Sequence, residues 1–515
     1  MNETRNIVDA WQVAIATERE AYGETPPYHP EEVYPECPFE SEAVSSAGNP
    51  AYDGVRSSLR LLGWDAERYG LKEWNPLGWV IRPGDTVVLK PNFVREFRET
   101  HSGLDDCVIT HGSVIRAAVD YVYIALEGRG RIIIADAPQN DADFEVIRAI
   151  TGLAEIQEFY REQAGFEVEV YDLRPEKARK IDGVIVGHEE LPGDPAGYVK
   201  VNLGLNSMFA EVNDLCHLLY GSEYDTREIR SHHHDDVHEY MISKTVLDAD
   251  CVISLPKLKT HKKTGVTLSM KNMVGMNGNK NWLPHYREGA PARGGDQFAD
   301  DRLKHRVERK AVACFKRVFP FFGPLRRVMA GPIKAFGKKA FGDTNTDTIR
   351  SGNWCGNDTT WRMAVDLNRI LMYADADGQL HRKPQRELFS IVDGIVGGEG
   401  NGPLDPTPRP AGVIVAGVNP LAVDSTCTRI MGFNYRRLPI LHRALDEHPL
   451  RLADFELDEI CCTSNDPRFC GPLNECSSLL PAFTPHFGWK GQVVKSSIFL
   501  GQKENGMFAS RSANK

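Results

Sequence analysis

The chain has 515 residues, more than one small core needs, with 41% apolar and 26% charged residues, a normal globular balance. A net charge of −10 argues against a general nucleic-acid binder, which shows a basic footprint, so no nucleic-acid partner is expected. Nothing approaches the run of about 18 apolar residues that a spanning helix needs, and eleven cysteines in this length are not a disulfide-dense pattern.

Met1 to Asp9 lacks an apolar signal region or a twin-arginine leader, so a cytoplasmic protein is expected. Prolines 26, 27, 30, 35 and 38 break any long element, and residues 1–80 read as an irregular N-terminal extension with a helix near Val55–Leu62. A core begins at 81. Thr86–Lys90, Arg131–Asp136 and Glu167–Asp172 read as strands, while Ser113–Val122, Phe144–Ile150 and Leu153–Ala164 have helical spacing. Strands alternating with helices predict an α/β fold with a mostly parallel or mixed sheet flanked by helices. Cys251–Leu255 reads as a buried strand that closes this first part at about 289. A second part, 351–435, carries the amphipathic helix Thr360–Tyr373, the strands Leu388–Asp393 and Gly412–Gly417, and a helix opening at Pro420. A C-terminal segment, 436–515, follows.

Residues 290–350 differ. Between Arg302 and Lys339 twelve basic residues face one acid, Glu308, and phenylalanines recur at helical spacing. Three readings stay open for this insertion: a helix packed on its own domain, a lid over a site, or an anchor to an anionic membrane surface through 302–339, which would make the protein peripheral to the inner membrane face.

Four constellations can carry chemistry. Pro256-Lys257-Leu258-Lys259-Thr260-His261-Lys262-Lys263, followed by Lys271-Asn272, comes directly after a buried strand, where open α/β sheets bind ligands. Its cations suit a phosphate or carboxylate, and a desolvated lysine or His261 can move protons. Asp393 to Pro403 places four glycines around Glu399 and reads as a loop offering backbone N–H groups through Gly397, Gly400 and Gly402. Lys90, Asn92, Asp136 and Asp424 lie at predicted strand ends or a helix start, and Asp136, Glu399 and Asp424 are candidate ligands for a divalent metal. His234 and His238, four apart, would share a helical face and are a second metal candidate, though not as His-Glu-x-x-His. Cys461, Cys462, Cys470 and Cys476 match no zinc or iron–sulfur spacing, so no iron–sulfur cluster is predicted.

Val88–Asn92, Thr110–Val114, Ala135-Asp136, Leu255–His261, Leu268–Asn272, Asp393–Pro403 and Asn419–Asp424 together resemble family number 362 of the domains of unknown function, over about residues 80–435. The resemblance implies an α/β domain and little about reaction. Its relatives often carry a ferredoxin-type cysteine cluster or a leader, and this sequence shows neither pattern.

The expectation is an enzyme that binds an anionic small molecule. Lys259, His261 and Lys271 are the catalytic candidates. Lys90, Asn92, Lys257, Thr260, Asn272 and the glycine segment are the ligand-binding candidates. The reaction class, whether hydrolytic, group-transfer or redox, stays open. The alternatives are a non-catalytic binding or assembly factor, possible membrane attachment included, or a redox protein without the usual ferredoxin module.

Overall fold

The computed structural model describes residues 7–39, 44–98, 107–181, 184–222, 226–308 and 348–493. The basic insertion lies for the most part, residues 309–347, outside the described residues.

One eleven-stranded mixed sheet organises the molecule. Its strands are β1 (Gln12–Thr17), β2 (Thr86–Pro91), β3 (Arg131–Asp136), β4 (Val168–Asp172), β5 (Cys251–Leu255), β6 (Lys257–His261), β7 (Gly265–Val266), β8 (Glu387–Asn401), β9 (Asp405–Gly417), β10 (Cys461–Ser464) and β11 (Gly471–Pro472). Their order is β11-β10-β1-β9-β8-β5-β2-β3-β4, with β6 pairing β8 and β7 pairing β6. The run β8-β5-β2-β3-β4 is parallel. The hairpin of β8 and β9, and β1 beside it, are antiparallel. The fold is thus an α/β fold on a mixed sheet. Val252, Ile253, Val87, Val88, Ile132 and Ile133 are at most 1% exposed, as befits parallel strands covered on both faces.

Among the described residues, helices beside the sheet include α1 (Pro50–Leu61), α2 (Gly112–Leu126), α3 (Phe144–Ile150), α4 (Leu153–Ala164), α5 (Leu268–Asn272), α6 (Thr360–Tyr373) and α7 (Pro420–Ile430). Helix α1 packs against β1 and β9, α2 against β2 and β3, and α7 against β1, β8 and β9. Their caps are legible locally. Asn49 accepts from Tyr52 N ahead of Pro50, and Asn419 accepts from Leu421 N ahead of Pro420.

Two local expectations change. The N-terminal extension is not merely irregular, because Val13–Ile15 sit fully buried between β9 and β10. The glycine segment around Glu399 is not a loop but the second half of the 15-residue strand β8. Gly397, Gly398 and Gly402 mark close backbone approach, whereas Gly400 takes a left-handed φ of 73° in open space: a β-carbon at Gly398 would fall 2.9 Å from Cys107 O and 3.0 Å from Lys259 Cβ. Across from it, Pro406, Pro408 and Pro410 of β9 lie beyond the stretch that β1 pairs, where a strand edge tolerates a missing N–H. Lys257–His261, directly after β5, is itself a strand. It is β6, buried throughout and parallel to the far half of β8.

Candidate functional site

The carboxyl ends of β2 and β3 meet α5 around one buried ion pair. Lys90 Nζ donates to Asp136 Oδ1 at 2.7 Å and to Asn272 Oδ1 at 3.2 Å. The second carboxylate oxygen of Asp136 accepts from Phe93 N at 2.8 Å. Asn272 donates in turn to Lys90 O and Ser254 Oγ, which ties α5 to β2 and β5. Asn92 Nδ2 reaches Asn272 Oδ1 at 3.2 Å. Burial holds Lys90 below the usual lysine range, and the adjacent Asp136 opposes that shift.

Above this floor lies a cavity of about 330 Å³, within the size range of small-molecule sites. Asn92, Asp136, His261, Lys271 and Asn272 line it, with Lys262, Lys263, Thr267, Lys280 and His285. One wall is apolar: Val94, Ala137, Pro138, Ile185, Leu283 and Leu404. Lys263, Lys271 and Lys280 are each no more than 9% exposed. Lys263 Nζ donates to His285 O at 3.2 Å, and Lys280 Nζ donates to Val274 O and Asn277 O, both at 3.0 Å. Lys271 differs. Among the described residues its Nζ has neither a carboxylate nor a carbonyl partner.

This crowding of amines sets the electrostatics. Burial, and then Lys90, push Lys271 down to about 8. Burial, and then Lys262, push Lys263 down to about 7, and burial also takes Lys280 to about 7. His261 is held well below the ordinary imidazole value by burial, then by Lys271, Lys262 and Lys263. Its Nδ1 accepts from Lys263 N at 3.1 Å and Thr264 N at 3.2 Å, which places the proton of the neutral ring on Nε2. In His285 the roles reverse: Nδ1 donates to Leu283 O at 2.8 Å, leaving Nε2 as an acceptor.

These amines give stability a distinctive pH dependence. Lys259, Lys263, Lys271 and Lys280 have folded values of about 7, 7, 8 and 7 against an ordinary 10.5. Between the two values the unfolded chain binds more protons than the folded one, so stability rises with pH there. Buried Asp424 and half-buried Glu18, both pushed up to about 7, act with the opposite sign below that value. Denaturant unfolding is therefore expected to show stability increasing from about pH 7 to about 8.5, short of ordinary thiol ionisation. A flat or falling profile in that window would mean that the amines are far better hydrated than their surroundings indicate.

The remaining candidates go elsewhere. Lys257 donates to Asp393 Oδ2 at 2.9 Å and to Tyr22 OH at 2.7 Å, in a pair with no exposure at all. Lys259 donates to Val108 O and does not line the cavity. Thr260 Oγ1 donates to Gly400 O at 3.0 Å, knitting β6 to β8. Gly397, Glu399, Gly400 and Gly402 belong to the β8–β9 hairpin, and only its tip, Pro403-Leu404, reaches the cavity.

The three carboxylates proposed for a metal do not converge. Asp136 is taken by Lys90. Glu399 Oε2 accepts from Thr484 N at 2.8 Å. Asp424 accepts from Ser269 N and Met270 N at 2.7 and 2.9 Å, and so caps α5 and sets the direction of Lys271 and Asn272. His234 and His238 share no helical face. They lie on the paired strands His233–His234 and Val237–Ser243, because Asp235 takes a left-handed turn (φ 46°) between them. His238 Nε2 meets Asn213 Oδ1 at 2.8 Å, whereas His234 faces outward beside Asp235. No group of three or more His, Cys, Asp or Glu side chains among the described residues can hold a metal ion.

Thr267, Lys280 and His285 escaped the sequence reading. Lys280 follows the turn-type residues Asn277-Gly278-Asn279, and a lone lysine beyond a turn is usually solvated. His285 sits in a connection that only tertiary packing folds over β6.

No significant match was found among curated proteins or among solved structures. The family model described as a domain of unknown function, DUF362, matches residues 183–429, a span that holds β5 to β9 and the cavity lysines but stops short of Lys90, Asn92 and Asp136. The chain therefore carries a DUF362 domain, to whose lysine-bearing strand and helix the preceding β2 and β3 add the Lys90–Asp136 floor.

Proposed function

We propose that this protein is an enzyme acting on a small molecule that carries a carboxylate or phosphate on an apolar body, bound in the cavity above Asp136. The observation that carries this reading is an imbalance of charge. Three buried lysines, Lys263, Lys271 and Lys280, line the cavity, and the one lining carboxylate among the described residues, Asp136, is already committed to Lys90. Buried cations without counter-ions are costly, and a bound anion relieves that cost. The apolar wall suits the rest of the ligand.

The same cavity gives His261 a hydrogen-bonding role. Burial, and then the lysines, hold its ring neutral. With Nδ1 accepting from Lys263 N and Thr264 N, the ring carries its proton on Nε2 and can donate it in a hydrogen bond to a bound oxyanion. Lys259, directed at Val108 O, has a structural part in this reading.

Titration calorimetry with phenyl phosphate, and with phenol as its uncharged counterpart, tests the reading. Phenyl phosphate is expected to bind and phenol to bind far more weakly. Lys271→Gln should weaken phenyl phosphate binding by roughly 1.5–3 kcal/mol, about ten- to a hundredfold, the worth of a charge-assisted hydrogen bond. Lys259→Gln should not. Affinity should fall as pH rises through about 8, where Lys271 loses its charge in the free protein. Equal binding of phenol and phenyl phosphate, or an unaltered Lys271→Gln protein, would sink the proposal.

A further inference from the structure

We propose that Lys271 is a nucleophile that forms an imine with the carbonyl carbon of a bound 2-oxo acid. This rests on the anion-binding reading above and narrows it to a substrate class.

Three observations single out this amine. First, the neighbouring amines are held by acceptors: Lys263 by His285 O, with the Tyr286 ring centroid 4.9 Å away, Lys280 by two carbonyls, and Lys90 by Asp136. An amine held that way must give up those hydrogen bonds before it can approach a ligand. Lys271 is 8% exposed, lines the cavity and has no such acceptor among the described residues. Second, its backbone is fixed. Asp424 caps α5 through Ser269 N and Met270 N, and Asn368 Nδ2 binds Met270 O at 2.9 Å. Third, four polar atoms lining the same cavity are buried without a hydrogen-bond partner: Asn92 Oδ1, Gln139 Oε1, Ser222 Oγ and Thr267 Oγ1. Unsatisfied buried groups of this kind mark where a polar reactant sits. Burial beside Lys90 also brings the amine to about 8, which leaves a useful neutral fraction near neutrality, as nucleophilic lysines require.

The chemistry balances without an external reagent. The Nζ lone pair attacks the carbonyl carbon, and the carbonyl π electrons move to oxygen, giving a carbinolamine. The carbon–oxygen bond then breaks. The oxygen leaves as water with the two protons that the neutral amine gives up. The carboxylate of the oxo acid, attached to the reacting carbon, remains among Lys262, Lys263 and Lys280. A ligand with its anionic group next to its electrophile suits a cavity lined both by cations and by the proposed nucleophile.

The test is reductive trapping on the full-length protein. Pyruvate and phenylpyruvate are each added with sodium cyanoborohydride, followed by intact mass measurement and peptide mapping. One reduced adduct per chain, mapped to Lys271, suppressed by phenyl phosphate and lost in Lys271→Arg, is the expected result. Calorimetry of phenylpyruvate without reductant separates the two readings. Phenylpyruvate binding with no adduct on Lys271 overturns the imine and leaves the anion site standing. Phenyl phosphate binding without phenylpyruvate binding overturns the 2-oxo acid class. Binding of neither overturns both. An adduct spread over surface lysines, unchanged by phenyl phosphate, also overturns the proposal. The wild-type mapping decides even if Lys271→Arg fails to fold.

Discussion

Asp393→Ala is expected to lose about 3–5 kcal/mol of folding stability, the cost of leaving one member of a buried ion pair without its partner. Asp393 is wholly buried, and its carboxylate joins four parts of the chain. Oδ2 accepts from Lys257 Nζ on β6 and from His111 N at the start of α2, both at 2.9 Å. Oδ1 accepts from Tyr22 OH at 2.7 Å. Tyr22 stacks on His111 at 4.0 Å and receives Val396 N from β8. Removing the carboxylate leaves the buried Lys257 amine with only the Tyr22 hydroxyl of these partners and loosens one tie of Tyr22 to the sheet. Urea unfolding checks the magnitude. The double variant Lys257→Met with Asp393→Leu, which removes both charges, should recover much of the loss, because buried pairs are close to neutral against apolar replacements. A single variant as stable as wild type would show that this pair does not hold β6 in register.

Gly275→Ala is expected to be as damaging, by a different route. The added methyl would lie 1.7 Å from Asp136 Oδ1 and 2.5 Å from Lys90 Nζ. Neither atom can retreat, since each is bonded to the other and to fixed groups, and Gly275 O itself holds Ala137 N at 2.8 Å. The backbone must shift or the ion pair must open. Overpacking alone costs about 1–3 kcal/mol, and a broken buried pair adds a few more. Because Gly275, Asp136 and Asn272 all line the cavity, phenyl phosphate binding should disappear together with the stability. Thermal unfolding and calorimetry on one preparation check both. A variant that kept wild-type stability and binding would rule out this close approach of the backbone to the pair.

The sequence by itself determined the elements and most of their ends. Alternation of apolar runs with helical spacing located β2 to β5 and α2 to α4. Asn-Pro at 49–50 and 419–420, which caps α1 and α7, is a local start signal of which only the second was read. Of the residues the sequence singled out, Asn92, Asp136, His261, Lys271 and Asn272 line one cavity. These features were legible because they depend on neighbours within a few residues, or on the rule that open α/β sheets present ligand sites at carboxyl ends.

Only the tertiary structure decided which polar residues face that cavity and which are internal ties. Lys257, Lys259 and Lys271 look alike in sequence. They differ because Asp393 and Val108 O, 136 and 151 positions away, neutralise or hold the first two, while nothing among the described residues meets the third. The glycine segment carried the composition of a loop, yet it extends as a strand because β6 and β9 press on it from either side. Asp424 reads as a metal ligand until α5 comes within reach of its carboxylate. In each case the deciding partner is remote along the chain, and burial amplifies its effect: in a low-dielectric interior a single counter-charge or hydrogen bond decides whether an amine is a structural tie or a free cation at a site.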